Sequence, residues 1–212
     1  MEISIELVKD LRQRTGAGVI DCKTALGEAK GDIDAAIEYL RRKGLANAAK
    51  KAGRIATDGL ISSYIHTGGK MGVLVEINCE TDFVAKTEYF QTFVKNIAMH
   101  IAASNPQYIK REEIPAEVLE SEKRIYRSQA VESGKPEKVI DKIIQGKLDR
   151  FYSEVCLIEQ TYFKDPDLTV KEVLDSMIAK VGENISIRRF ARFQLGEGLQ
   201  SRSQPACIPS KE

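Results

Sequence analysis

The sequence predicts an α+β protein, in which a three-helix N-terminal module and a linker helix precede a three-stranded antiparallel sheet packed with helices. Three observations support this prediction. Apolar residues recur at helical spacing through residues 1–44. The period changes to two over residues 60–78, and a final alternating segment occupies residues 183–196. Helical and strand-forming segments that are separated in this way along a chain are typical of the α+β class.

The N-terminal module is delimited by capping and helix-ending residues. Ser4 is a suitable N-cap for a first helix, which should end at the segment "TGAG", residues 15–18. A second helix should end at Gly31, and Asp32 is a suitable N-cap for a third. We expect this third helix to end at Gly44.

A basic linker should follow at residues 45–54. Six basic residues and no acidic residue fall between positions 41 and 54: Arg41, Arg42, Lys43, Lys50, Lys51 and Arg54. Such side chains could contact phosphates, so an RNA-binding module is an alternative hypothesis. No aromatic residue is interleaved with them, as a surface that stacks single-stranded bases would require. We therefore favour a solvated linker helix and do not expect RNA as a partner.

Residues 55–199 are expected to form a single core domain. Residues 60–66 and 70–78 alternate as strands do, and the turn residues 67–69 between them indicate a hairpin. The segment 183–196 supplies the third strand. Residues 200–212 are polar, include Cys207, and are expected to form a disordered tail.

Prolines and a capping motif predict where the later helices begin. Pro115 and Pro136 each occupy a position where a helix start tolerates proline. The apolar pattern that begins after Pro136 continues through Ile158. Thr169 and Glu172 have the spacing of a capping box, which predicts a helix from that point.

Composition excludes several classes of protein. The 32 basic and 31 acidic residues leave a net charge of +1, which gives no overall attraction to nucleic acid or to an anionic membrane. There is no run of 18 apolar residues, so we expect no transmembrane helix, and the acidic N-terminus does not resemble a signal peptide. The four cysteines form no CxxC pair. This pattern predicts a reduced, cytoplasmic protein without a metal site, a disulfide framework or a cofactor.

Two possible reactive sites have simpler explanations. The segment "TGGK", residues 67–70, resembles the end of a phosphate-binding loop, but it lacks the first glycine and the following Ser or Thr of that motif. We interpret it as a hairpin turn and expect no direct nucleotide binding. Cys79 could be a nucleophile with His66 as its base, although a buried structural cysteine is the favoured interpretation. His100 lies among apolar residues and is expected to be a packing histidine.

The segment "INCETDFVAK", residues 77–86, places a bulky aromatic residue where a strand gives way to a helix. Ser, Asn or Gly would make such a turn more simply. Phe83 could be a core residue at a helix start, with Thr81 and Asp82 as capping residues. It could also be an exposed contact for another molecule. The residue pattern alone leaves both interpretations open.

Three long segments resemble hallmark segments of the elongation factor Ts family. They are "TGAGVIDCKTAL" (residues 15–26), "NCETDFVAKTEYF" (residues 78–90) and "VGENISIRRFARF" (residues 181–193). The resemblance implies a guanine nucleotide exchange factor, not an enzyme, that acts on elongation factor Tu. It also implies that residues 1–44 are a ubiquitin-associated-like module that docks on the partner's GTPase domain, with Val19 and Ile20 as candidate contacts.

The resemblance also assigns a role to the "TDFV" motif formed by Thr81, Asp82, Phe83 and Val84. In the family, its aromatic residue inserts between helices of elongation factor Tu and disturbs the magnesium site, which promotes GDP release and exchange for GTP. The sequence contains one such motif and one set of sheet strands, as in the short form of the family. That form implies a homodimer whose sheets pair.

Overall fold

The computed structural model describes residues 3–134 and 136–199. Along these residues the α-helices and the strands follow in the order α1 (Ile5–Thr15), α2 (Val19–Glu28), α3 (Ile33–Lys51), β1 (Asp58–Ile65), β2 (Met71–Cys79), α4 (Asp82–Ala85), α5 (Glu88–Ser104), α6 (Ala116–Glu132), α7 (Glu137–Val155), α8 (Val170–Val181) and β3 (Ile185–Gln194). The predicted α+β class is confirmed. The predicted tail at residues 200–212, with Cys207, lies outside the described residues.

The N-terminal module has a small apolar core of its own, and its predicted caps are present. The Ser4 hydroxyl accepts a hydrogen bond from the Leu7 N–H, and the Asp32 carboxylate accepts one from the Ala35 N–H at 2.9 Å. These bonds satisfy backbone donors that the first turn of a helix leaves free. The buried residues come from α1, α2 and α3: Leu11, Cys22, Ala25, Leu26 and Ala36.

The third helix does not end at Gly44, so that part of the prediction is wrong. It continues without interruption to Lys51 and includes most of the predicted linker. A Cβ placed on Gly44 would lie 3.4 Å from the Ala179 Cβ of α8, so α3 packs against α8 at this glycine and does not end there. Ala48, one turn further on, is buried in the main core. One helix therefore joins the N-terminal module to the core domain.

The three strands form an antiparallel sheet in the order β1-β2-β3. The predicted hairpin is confirmed, because the Gly69 N–H donates to the His66 carbonyl at 2.9 Å and closes the turn. The inner face of β2 carries Val73, Val75 and Ile77, which pack against α5. Phe90 of α5 is fully buried in this core.

The predicted helix starts agree with the structure more closely than the predicted helix ends do. Pro115 and Pro136 precede α6 and α7, and the Thr169–Glu172 capping box opens α8. However, α7 ends at Val155 and does not reach Ile158. The next residue, Cys156, leaves the helix to form a parallel bridge with Tyr108, a long-range pairing that apolar periodicity does not reveal.

His100 is the packing histidine that the sequence predicts. It is fully buried, its Nε2 lies 3.0 Å from the Gln160 Oε1, and its Nδ1 accepts from the Phe163 N–H at 3.3 Å.

No helix within residues 3–134 and 136–199 is both long and apolar enough to cross a membrane. The same residues contain no cluster of His, Cys, Asp or Glu that could hold a metal ion.

Candidate functional site

The TDFV corner, residues 81–84, lies between the end of β2 and the short helix α4. Thr81 is the N-cap of α4, with extended backbone angles, and its hydroxyl accepts from the Val84 N–H at 3.5 Å. The predicted change from strand to helix is therefore present, and Thr81 is a capping residue. A four-residue helix has little stability of its own, so its orientation depends on the contacts around it.

Phe83 is directed away from the protein. Its side chain is 79% exposed, whereas the following residues Val84 and Ala85 are buried in the core. The interpretation of Phe83 as a core residue is therefore wrong. Burial of Val84 and Ala85 anchors one side of α4 to the sheet and α5, which leaves the phenylalanine ring on the opposite, solvent side.

A carboxylate that is distant along the chain but adjacent in the fold holds Thr81 in place. Glu183 accepts a hydrogen bond from the Thr81 N–H at 3.0 Å and a second from the Thr81 hydroxyl at 2.7 Å. The Cys79 thiol donates to the Thr81 carbonyl at 3.1 Å. All three polar groups of the residue before α4 therefore have partners within the domain.

A second carboxylate makes the reciprocal contact. Glu80 accepts a hydrogen bond from the Asn184 N–H at 2.6 Å, and the Asn184 amide donates to the Arg54 carbonyl at 2.7 Å. Glu80 and Glu183 thus link the end of β2 to the start of β3 through hydrogen bonds. Sequence reasoning missed both glutamates. The available signal was an acidic residue one position after β2 and another two positions before β3.

Asp82 is paired on the surface of the corner. Its carboxylate lies 2.5 Å from the Lys86 ammonium, one helical turn further on. The hydrogen bond from Lys86 lowers the pKa of Asp82 below its usual range. Because both side chains are exposed, this pair contributes little to stability and mainly places a negative and a positive charge beside Phe83.

The N-terminal candidates lie at the first turn of α2. Ile20 is 81% exposed and Val19 is also exposed, so both side chains are available for contact. The small core of the module uses Cys22 and Leu26 from the same helix instead. Exposed branched apolar residues at neighbouring positions make this turn of α2 a candidate contact surface.

The alternative sites gain little support from the structure. Cys79 is fully buried, and burial raises the pKa of its thiol to about 11, which suppresses the thiolate that a nucleophile needs. His66 is hydrogen-bonded through Nδ1 to the Tyr64 hydroxyl. Among the basic residues of the linker region, Arg41, Lys43 and Arg54 are engaged with carboxylates, which weakens the case for a phosphate-binding surface.

A second exposed surface covers the outer face of the sheet. The strand register places Ile65, Gly72 and Phe193 side by side, and Leu74 lies one pair further along the same face. Ile65, Leu74 and Phe193 are all exposed. We call this the outer sheet face, and it is more apolar than a solvated sheet face usually is.

Comparison with known proteins gives a consistent class. The sequence model of a family described as Elongation factor TS matches residues 45–197. The chain is 61% identical over 202 residues to Elongation factor Ts of Geobacter sulfurreducens, covering 95% of this chain and 94% of that protein. It is 63% identical over 198 residues to Elongation factor Ts of Caldanaerobacter subterraneus subsp. tengcongensis, covering 93% of this chain and 99% of that protein.

The fold and these similarities define a protein of translation elongation. The chain belongs to the elongation factor Ts family, and the resemblance found in the three sequence segments is confirmed.

Proposed function

We propose that this protein binds elongation factor Tu in its GDP-bound form, disturbs the magnesium site of that partner, and promotes release of GDP and its exchange for GTP. The protein acts as a cytoplasmic exchange factor and not as an enzyme, and it binds no nucleotide itself. The observation that carries the proposal is the exposed Phe83 ring on a corner that is held by the hydrogen bonds of Thr81 with Glu183 and Cys79.

An exchange factor acts by thermodynamic coupling. If binding of the factor weakens nucleotide binding, nucleotide weakens binding of the factor by the same ratio. An acceleration of GDP release by about 10⁴ requires roughly 5.5 kcal/mol of differential stabilisation. Burial of one phenylalanine side chain contributes about 1.5–3 kcal/mol, so Phe83 needs further contacts. We assign part of them to Val19 and Ile20 of the N-terminal module.

The function is tested by the rate at which labelled GDP leaves elongation factor Tu. In the presence of excess unlabelled nucleotide, the protein should increase this rate in proportion to its concentration until the rate saturates. Elongation factor Tu alone supplies the baseline. A release rate that is unchanged at saturating protein would contradict the proposal.

We also propose that two copies pair through the outer sheet face. A three-stranded sheet with exposed apolar residues on its second face gains stability when a partner covers them. Leu74 lies on the central strand β2, and the residues around it are provided by both neighbouring strands. The symmetric partner that fits such a surface is a second copy of the chain.

Replacing Leu74 with glutamate should convert this dimer to monomers, because the change places two carboxylates in one apolar interface. Sedimentation at micromolar concentration measures the mass. Ile125→Glu is a suitable control, since Ile125 on α6 has a similar exposed fraction, 45% against 49% for Leu74, and lies outside the sheet. A well-folded wild-type monomer at this concentration would refute the dimer.

A further inference from the structure

We infer that Glu183 is a positioning residue for Phe83: it replaces the carboxylate that a local capping box would supply and thereby sets the direction of α4. This inference rests on the proposed function, in which the Phe83 ring enters a partner. The proposed function does not require Glu183 itself to contact that partner. It acts through Thr81.

The start of α4 has half of a capping box in its own sequence. In a complete box, the N-cap hydroxyl accepts from the third helical residue, and the side chain of that residue returns to the N-cap N–H. The third residue of α4 is Val84, whose apolar side chain is buried and cannot accept a hydrogen bond. The Thr81 N–H therefore needs an acceptor from elsewhere.

Glu183 provides that acceptor from a distance of 102 residues along the chain. Its two carboxylate oxygens take the Thr81 N–H and the Thr81 hydroxyl separately, at 3.0 and 2.7 Å. The same protein contains the local version, in which the Glu172 carboxylate accepts from the Thr169 N–H at 2.8 Å and from the Thr169 hydroxyl at 3.0 Å. The hydrogen bonds are of the same kind at both helix starts, but only at α4 does the capping carboxylate come from a separate element. The Glu172 carboxylate belongs to α8 itself, and its other oxygen pairs with Arg41 of α3 at 3.0 Å.

The element that carries Glu183 is itself restrained. Gly182 ends α8 in a left-handed conformation, with φ of 79°, and its N–H donates to the Ile178 carbonyl at 2.9 Å. On the other side, Asn184 is held by Glu80 and by the Arg54 carbonyl. A restrained carboxylate that makes charge-assisted hydrogen bonds to the N-cap limits rotation of α4, and Phe83 is the second residue of that helix.

The test compares Glu183→Ala with Glu183→Gln in GDP release from elongation factor Tu at saturating protein. A hydrogen bond to a charged group changes an equilibrium constant by about ten- to a hundredfold. We therefore expect Glu183→Ala to lower the maximal release rate roughly tenfold. Glutamine can accept from the Thr81 N–H and donate to the Thr81 hydroxyl, so Glu183→Gln should recover most of that loss. If glutamine is no better than alanine although both variants are folded, the inference is wrong.

Glu172→Ala is the matched control. It removes the same pair of hydrogen bonds from the start of α8, and with them a comparable amount of folding stability. It also removes the partly exposed ion pair between Glu172 and Arg41, which contributes little. Its maximal release rate should equal that of the wild type, while urea unfolding should report losses of similar size for Glu172→Ala and Glu183→Ala. An equal loss of release rate in both variants would show a general stability effect and overturn the positioning role.

The double variant Glu183→Ala, Phe83→Ala separates this inference from the proposed function. If Glu183 acts through Phe83, the double variant should release GDP no more slowly than Phe83→Ala alone. Losses that multiply would overturn the positioning role and leave the function of Phe83 intact. If Phe83→Ala releases GDP as fast as the wild type, the proposed role of Phe83 fails first, and the inference fails with it.

Discussion

Replacing Phe83 with alanine is expected to slow the GDP release from elongation factor Tu that we propose for this protein by roughly 10- to 100-fold at saturating protein. A phenylalanine ring that passes from water into an apolar site contributes about 1.5–3 kcal/mol, and each 1.4 kcal/mol corresponds to about a factor of ten. Since the ring is 79% exposed in the free protein, its removal should cost little folding stability. The rate of labelled GDP release is the measurement.

Two further variants make this experiment decisive. Phe83→Leu retains apolar bulk without the aromatic ring, and an intermediate rate is expected. Val131→Ala removes another exposed apolar side chain, on α6 and outside the proposed contact surfaces, and should leave the rate unchanged. Full activity in Phe83→Ala, with circular dichroism identical to that of the wild type, would show that the ring does not act on the partner.

Gly59→Ala is expected to have the largest effect on stability. Gly59 lies in β1 with φ of 141°, and a Cβ there would stand 2.2 Å from the Ile77 carbonyl oxygen and 2.7 Å from the Asn78 Cα. Both obstacles are backbone atoms of the central strand, so a side-chain rotation cannot relieve the clash. We expect a loss of about 3 kcal/mol or more, which lowers the melting temperature by roughly 6–12 °C for a chain of this size.

Gly146→Ala provides a control of opposite sign. Gly146 lies inside α7, and a Cβ at this position would have no heavy atom within 4 Å apart from those of its chain neighbours and its own helix backbone. Alanine in an exposed helix interior is more stable than glycine by roughly 0.5–1 kcal/mol, so this variant should unfold at a slightly higher temperature. Calorimetry measures both. If Gly59→Ala melts within a degree of the wild type, β1 accommodates a side chain there and the argument from close approach fails.

Local signals in the sequence predicted the start of most elements. Asp32 and Thr169 each cap a helix through their own side chains, and an interaction between residues three positions apart can be recognised without a structure. The end of α3 was predicted wrongly because Gly44 has two possible meanings. A glycine can end a helix, or it can lie where a neighbouring helix packs, and the neighbour here is Ala179 of α8, 135 residues later in the chain.

The motif of the candidate site could be predicted from the sequence, but the contacts that hold the motif in place could not. The exposed ring of Phe83 could be anticipated only through resemblance to a family, since an aromatic residue at a helix start is also consistent with a core position. The contact between Thr81 and Glu183 depends on how β2 and β3 align, and no spacing rule joins residues 102 positions apart. The two exposed residues Val19 and Ile20 follow from a module too small to bury them both.

The uninterrupted course of α3 determines how the two ends of this protein can cooperate. Nineteen residues of helix span about 28 Å, and Ala48 and Gly44 seat its C-terminal half against the core domain. The N-terminal module is therefore mounted on a stiff spacer and not on a flexible tether. In the proposed function, a partner that binds near Ile20 meets Phe83 at a distance that α3 sets in advance. The second contact then requires little further loss of freedom, which is the advantage of a bivalent ligand.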